Sequence, residues 1–200
     1  MANILYSEDN LDVYVKYEFV AKSTPLEWIN QYYSVRQQVY TNYWNLKNFS
    51  GGESHYDKLG FLLLALYQNN CIGGIRLVSS DINENLPLET DTFKIIDLFP
   101  QLNLEAGYYG EIGRAVLLPE FHGGNHSKEL YRKIALKSKE LNHQYAFAVA
   151  TVVHARKTRI ACKSFGLRVD ICEDIEIPDL PTYEGLEMRL MIIHIGDWNI

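Results

Sequence analysis

Apolar and polar positions alternate from Val13 to Phe19, with Val13, Val15, Tyr17 and Phe19 on one side and Tyr14, Lys16 and Glu18 on the other. That spacing predicts a half-buried strand. The segment Thr24-Pro25-Leu26-Glu27 then supplies an N-cap, a proline at the first helical position and a glutamate three residues after the cap. A helix is expected from there to about Tyr43, with Leu26, Ile29, Tyr33 and Val39 or Tyr40 as its buried stripe. Arg36 and Tyr40, four residues apart, share one of its faces. Residues 48 to 57 are polar, contain Gly51-Gly52, and read as a loop free to move over a site.

Two apolar runs, Phe61 to Tyr67 and Cys71 to Val78, flank Gln68-Asn69-Asn70 and predict an antiparallel hairpin. Ser79 to Asn103, with Pro87 and Pro100, reads as an excursion holding one short helix near Thr92 to Leu98. A strand follows from Gly110 to Leu118, ended by Pro119. Lys128 to Asn142 places Leu130, Ile134 and Leu141 on one side and Arg132, Lys133 and Lys137 on the other, which predicts an amphipathic helix. Tyr145 to Val153 lacks polar alternation, as expected of a strand deep in a sheet. A short helix over Lys157 to Phe165, stopped by Gly166, and a last strand over Glu187 to Ile195 complete a single α/β domain spanning residues 1–200.

Composition narrows this picture. A chain of 200 residues with 47% hydrophobic content can bury a sizeable core without disulfide staples. Cys71, Cys162 and Cys172 are odd in number and widely spaced, so a reducing cytoplasmic setting is the expectation. The N-terminus lacks the basic start and apolar core of a signal peptide, and no run approaches the roughly 18 apolar residues of a membrane span. A formal charge of -6 argues against general affinity for nucleic acid. Charge is nevertheless unevenly spread: the stretch from His122 to Arg168 carries +8 and the remainder -14. That asymmetry fits either a solvated face or a docking surface for an acidic or phosphate-bearing partner.

The stretch from Gly107 to Ile134 concentrates the candidate chemistry, because a strand leads through a glycine-bearing turn into a helix with a basic face. A helix N-terminus in that position suits a phosphate. His122 and His126 have the spacing of a helical metal pair, but glycines lie between them and no third ligand is near, so no metal site is expected.

The order of elements resembles the GNAT superfamily of N-acyltransferases over most of the chain. In that superfamily the turn after the central strand carries Gln/Arg-x-x-Gly-x-Gly/Ala. Here His122-Gly123-Gly124-Asn125-His126-Ser127 occupies that place, with Asn125 and Ser127 where glycine or alanine is usual. Cys162-Lys163-Ser164-Phe165-Gly166-Leu167 is similar to the family's Tyr-x-x-x-Gly-Phe segment, with Cys162 in the place of a tyrosine that often protonates the departing thiolate. A narrower likeness is to acyl-homoserine-lactone synthases and the related N-acyl amino acid synthases. It rests on Arg36, the 53–57 loop ending in Asp57, Arg76 in Gly74-Ile75-Arg76-Leu77, and Glu111-Ile112-Gly113-Arg114. Ser54 departs from those synthases' second aspartate, Gly113-Arg114-Ala115 from their Ser-Arg-Phe, and Trp44 follows Arg36 sooner than their tryptophan does.

What the resemblance implies is a GNAT-type fold, with a mixed, mostly antiparallel central sheet flanked by helices. It also implies direct acyl transfer from an acyl-CoA or acyl-carrier-protein thioester to a small amine, with no tightly bound cofactor. Glu111, Arg114 and Cys162 would be catalytic, and Arg36, Trp44, Asp57 and Arg76 would bind the acceptor. The backbone at Ala115, Val116 and Leu117 would face the donor. His122, Gly123, Gly124, Asn125, His126, Ser127 and Lys128 would hold its phosphates. Lys128, Arg132, Lys133 and Lys137 would form a landing zone for an acidic carrier protein. Two alternatives stay open: a short-chain acetyltransferase acting on a protein or polyamine, and a binding module that keeps the fold without turnover.

Overall fold

The computed structural model describes residues 14–46, 49–82, 84–122, 125–178, 183 and 185–199. Lys16–Phe19 (β1) pairs with Phe61–Tyr67 (β2), separated from it in sequence by a helix at Leu26–Gln38 (α1), a π-helical turn at Val39–Tyr43 and a short helix at His55–Leu59 (α2). β2 folds back on Asn70–Ser79 (β3) through Gln68 and Asn69, both left-handed with φ of 48° and 64°. That pair of positive φ values matches the hairpin turn to the twist of its strands. After β3 the chain makes its excursion, with Ile95–Leu98 (α3) and a 3₁₀ turn at Pro100–Leu102. It returns as Tyr109–Leu117 (β4), then His126–Glu140 (α4), Tyr145–Thr151 (β5), Val152–Lys163 (α5), Val169–Cys172 (β6) and Met188–His194 (β7).

The seven strands form one sheet in the order β1-β2-β3-β4-β5-β7-β6. Only β4 and β5 run parallel; every other neighbour pair is antiparallel. Strand periodicity sorts side chains between the two faces. Leu63, Ile75, Ile112, Ala146 and Ile193 pack with Leu130, Ile134 and Ala155 of α4 and α5. Leu62, Leu64 and Leu66 face Tyr32, Val35 and Val39 of the first helical segment. Further along that face, Val78, Phe147 and Ile192 are covered by Leu86, Phe93, Ile95 and Phe99 of the excursion. Among the described residues, no helix is long and apolar enough to cross a membrane.

Several expectations are refined. Leu26 is 69% exposed, and the buried stripe of α1 and its π turn is Tyr32, Val35, Arg36, Val39 and Tyr40. The fifth strand ends at Thr151, two residues early, and α5 begins five residues early. Thr151 caps that helix by accepting from the His154 amide, so the β-branched Val152 and Val153 are helical despite their strand-like character. β6 was not expected; with four residues it is too short to show a period.

The polar segment before β2 is hydrogen-bonded to α1 and capped onto α2 between Gly51 and Asp57. The Gly51 amide donates to Gln37, the Gly51 and Gly52 carbonyls accept from Arg36, and Ser54 and Asp57 form a capping box on α2. A Cβ at Gly51 would lie 2.4 Å from the Gln37 backbone nitrogen, so only glycine permits this approach. Residues 1–13, 47–48 and 123–124 lie outside the described residues, and with them Val13, Asn48, Gly123 and Gly124.

Candidate active site

The parallel ladder between β4 and β5 is short. It pairs Tyr109 with Tyr145, Gly110 with Ala146 and Glu111 with Phe147, and β4 then continues to Leu117 without a β5 partner. The β4 edge beyond Glu111 is therefore open on that side, and backbone polar groups there are available to something other than a strand. On the other side the register with β3 slips: Gly74 faces Val116 and Arg76 faces Gly113, leaving Arg114 and Ala115 opposite Ile75. Arg114 sits in this bulge with φ of 56°, a conformation uncommon outside glycine and asparagine. The hydroxyl of buried Tyr32 donates to its carbonyl at 3.0 Å and holds it there.

Two cavities line the opening. The smaller, about 110 Å³, is lined by Arg76, Glu111, Gly113 and Arg114 with Leu88, Val149, Tyr183 and Met188. The larger, about 350 Å³, has apolar walls from Val39, Val116, Leu117, Leu130 and Ile160, and Ser127, Lys128, Lys157 and His122 also line it. Trp44, Ala115, Tyr131 and His154 line both. Ser127 and Lys128 belong to the first turn of α4, where unpaired amides and the helix dipole favour an anion.

Beneath the smaller cavity lies a continuous set of charges. Arg36 grips Asp57 at 2.9 and 3.2 Å, Asp57 accepts from Arg76 at 3.2 Å, and Arg76 meets Glu111 at 3.4 Å. Glu111 also accepts from the Leu88 amide at 2.6 Å, which ties the excursion down onto the sheet. Gly113 leaves room for this: a Cβ there would come within 2.8 Å of the Glu111 carboxylate. Burial pushes the Glu111 carboxyl up, against the opposing pull of Arg76, the Leu88 amide and Arg114. Burial also acts to raise Asp57, but Arg36, the Ser54 amide and Arg76 outweigh it and hold its pKa below the usual value. Arg76 Nε is the single buried side-chain nitrogen or oxygen without a partner among the described residues.

These positions separate the expected site residues. Glu111, Arg114, Arg76 and Trp44 are brought together around the smaller cavity, and Ala115, Val116, Leu117, His122, Ser127 and Lys128 around the larger. Arg36 and Asp57 line neither cavity. Both are enclosed and paired with one another, and Asp57 also holds Arg76. His126 is turned toward β1, with Nδ1 3.1 Å from the Tyr17 hydroxyl, and Asn125 is exposed ahead of α4. Cys162 is fully enclosed in the core under α5 and lines neither cavity; burial pushes its thiol up to about 12. Thr158 and Ala161 of the same helix line the larger cavity, while the thiol expected to act as a proton donor is packed in the core.

Sequence reasoning missed Tyr131, His154 and Tyr183. Tyr131 lies on α4 and accepts from Thr158 at 3.0 Å, and burial pushes its phenol up to about 12. Tyr183 accepts from Arg114 at 3.1 Å. His154 packs at a tilt against Trp44 with ring centroids 4.3 Å apart, and Trp44 packs likewise on Tyr40 at 4.2 Å. The available signal was the helix start at Thr151, which turns a strand residue into the third residue of a helix. Among the described residues, no group of three or more His, Cys, Asp or Glu is arranged to hold a metal ion.

No family model and no curated protein matches the sequence. Solved structures do match. The AHL synthase LasI superposes with a TM-score of 0.62 at 16% identity, over 92% of this chain and 91% of that one. The CoA-dependent acyl-homoserine lactone synthase BjaI, in a structure with SAM and isopentyl-CoA, gives 0.59 at 15%, over 84% and 78%. An acetyltransferase of the GNAT family from Staphylococcus aureus gives 0.55 at 14%, over 91% and 99%. What these proteins share with the chain is the fold, a mixed sheet with flanking helices in a single α/β domain.

Proposed function

We propose that this GNAT-fold chain is an N-acyltransferase that moves an acyl group from an acyl-CoA or acyl-carrier-protein thioester to the amine of a small amino-acid-derived acceptor. The observation that carries this reading is the pair of cavities meeting where β4 and β5 part. One has ionisable walls and the other apolar walls with Lys128, Lys157 and a helix N-terminus among its lining. A thioester needs the second kind of surface for its phosphates and pantetheine arm, and an amine with a carboxyl-derived group needs the first.

In this reading the donor lies along the open edge of β4 at Ala115, Val116 and Leu117. Backbone amides there face the carbonyl, where the oxyanion develops. Its phosphates sit against Ser127, Lys128 and His122. The acceptor's carboxyl oxygens meet Arg114 and the unpartnered Nε of Arg76, and its ammonium faces Glu111. Glu111 takes the first proton, and its raised pKa suits it to do so. Trp44 walls both chambers. The acyl group passes directly to nitrogen, with no covalent acyl-enzyme.

Thiol release tests this, measured with acyl-CoA and acyl-carrier-protein donors of increasing chain length against the common amino acids and their lactone and sulfonium derivatives. Amide products are identified by mass spectrometry. An amide whose formation matches thiol release is the expected result. Absence of both across the matrix, from protein that binds CoA, would overturn the reading.

A further inference from the structure

Resting on the transfer reaction just proposed, we infer that His154 carries the second proton of the reaction, from the attacking nitrogen to the departing sulfur, across the waist that joins the two cavities.

An ammonium acceptor must lose two protons to become an amide. The first leaves before attack, and Glu111 is placed to take it. The second is lost only after the C–N bond forms, when the tetrahedral adduct carries a positively charged nitrogen. The C–S bond then breaks, and the sulfur leaves with the electron pair and needs a proton. Nitrogen and sulfur at that moment flank one carbon, at the junction of the acceptor and donor cavities. The group that moves the proton must therefore face both cavities, begin without the proton, and release it again.

Trp44, Ala115, Tyr131 and His154 face both. Only Tyr131 and His154 among them have titratable side chains, and Tyr131, a phenol that burial keeps protonated, cannot accept the proton. His154 can. Its Nδ1 is fixed 2.8 Å from Thr151 Oγ1, its ring rests on Trp44, and Nε2 has no hydrogen-bond partner among the described residues. The charged and titratable neighbours are Lys157 on its own helix and His122 from the turn after β4. Burial first, then these two, lower its pKa below the ordinary 6.5, so the ring starts neutral and ready to accept. Once protonated beside the Lys157 ammonium, it gives the proton up readily to a thiolate. This assigns to His154 the leaving-group protonation expected of Cys162, which the core encloses.

Steady-state kinetics of His154→Gln, with octanoyl-CoA and the amine that the wild type uses, tests the assignment. The expected result is a fall in kcat of roughly 100-fold, within the range of general acid-base catalysis, with little change in the KM for octanoyl-CoA. The kcat–pH profile should lose the limb that falls below pH 6.5. In His154→Ala, added imidazoles should restore turnover in an order set by their pKa values, which mere filling of space would not produce. A His154→Gln profile unchanged in a turning-over enzyme overturns the assignment and leaves the transfer reaction standing. Rescue that ignores imidazole pKa overturns it equally. Wild-type protein that binds octanoyl-CoA yet releases no thiol with any amine overturns the transfer reaction, and the assignment with it.

Discussion

Arg36 and Arg76 are each 1% exposed beside the paired half of β4, and Asp57 lies between them with its side chain fully enclosed. At the other end of the same strand, Lys128 and Lys157 line the larger cavity without an anionic partner among the described ion pairs. Both regions concentrate positive charge, yet the fold treats them in opposite ways. A cation taken out of water must be matched by anions and hydrogen bonds inside the protein, or its desolvation is uncompensated. A cation on an open wall keeps its water until a ligand replaces it. The enclosed charges thus brace the wall of the smaller cavity, and the open ones remain available to an anionic ligand.

The largest effect that can break this contrast is removal of the shared anion. Asp57→Ala leaves Arg36 and Arg76 facing each other in a dry site, and the expected loss of folding stability is about 3 to 5 kcal/mol, read from urea unfolding. A change below ~1 kcal/mol would mean that the enclosed set is not what braces that wall. The pH dependence has a definite sign. Because folding lowers the Asp57 pKa, its contribution is full above the unfolded value of 3.8 and disappears as pH falls through the lower folded value.

A second enclosed polar group separates burial from charge. His143 is 1% exposed and is held between Ser79 and Ser138, each 2.9 Å from a ring nitrogen. Burial lowers its pKa from 6.5 to about 4, so it stays neutral where Asp57 stays ionised. Its stabilisation is complete above pH 6.5 and declines as pH falls toward about 4. The decline amounts to about 3 kcal/mol at ~1.4 kcal/mol per pKa unit. His143→Gln should flatten stability between those pH values, and an unchanged slope would show that the proton is taken up elsewhere.

The open end predicts a smaller effect of a different kind. Lys128→Glu combined with Lys157→Glu should weaken CoA binding about tenfold or more at low salt, with the deficit shrinking as salt is added. Folding stability should move by less than ~0.5 kcal/mol, as for other surface substitutions. Calorimetric titration with CoA gives both affinity and its salt dependence. Equal affinity in the variant would remove these lysines from the donor's path. Further along α4 the contrast repeats: Arg132 is held by Glu129 and Lys137 by Glu140, so those two cations are less available to a carrier protein than their exposure in a helical pattern implies.

Which parts were legible follows the same division. The hairpin, α4 and the buried fifth strand declare themselves through apolar period and turn residues, and Glu111, Arg76 and Arg114 through their order along the chain. The enclosure of Arg36 and Asp57 was not readable, because a charged residue in sequence carries no sign of whether its partner is another side chain or a ligand. The excursion's role as a lid on one face depends on the Leu88 amide meeting Glu111, a contact between segments 23 residues apart. His154 was hidden for a local reason. Val152 and Val153 read as strand, and on a strand His154 would not have been placed in a helix start beside Trp44.

Cys162 gives the smallest expected effect and the sharpest reading of position against motif. The resemblance in sequence implies a proton donor at this position, whereas the thiol shares the core with Leu130, Ala155 and Leu167. A thiol there acts as a small hydrophobic group, and burial has raised its pKa to about 12. Cys162→Ala should lower stability by about 1 kcal/mol through the small void it leaves, and it should not alter the rate of thiol release or its pH profile. A rate loss without a matching stability loss would return Cys162 to the reaction. An unchanged rate assigns leaving-group protonation to a residue facing the waist, where motif position gives no guidance and cavity geometry does.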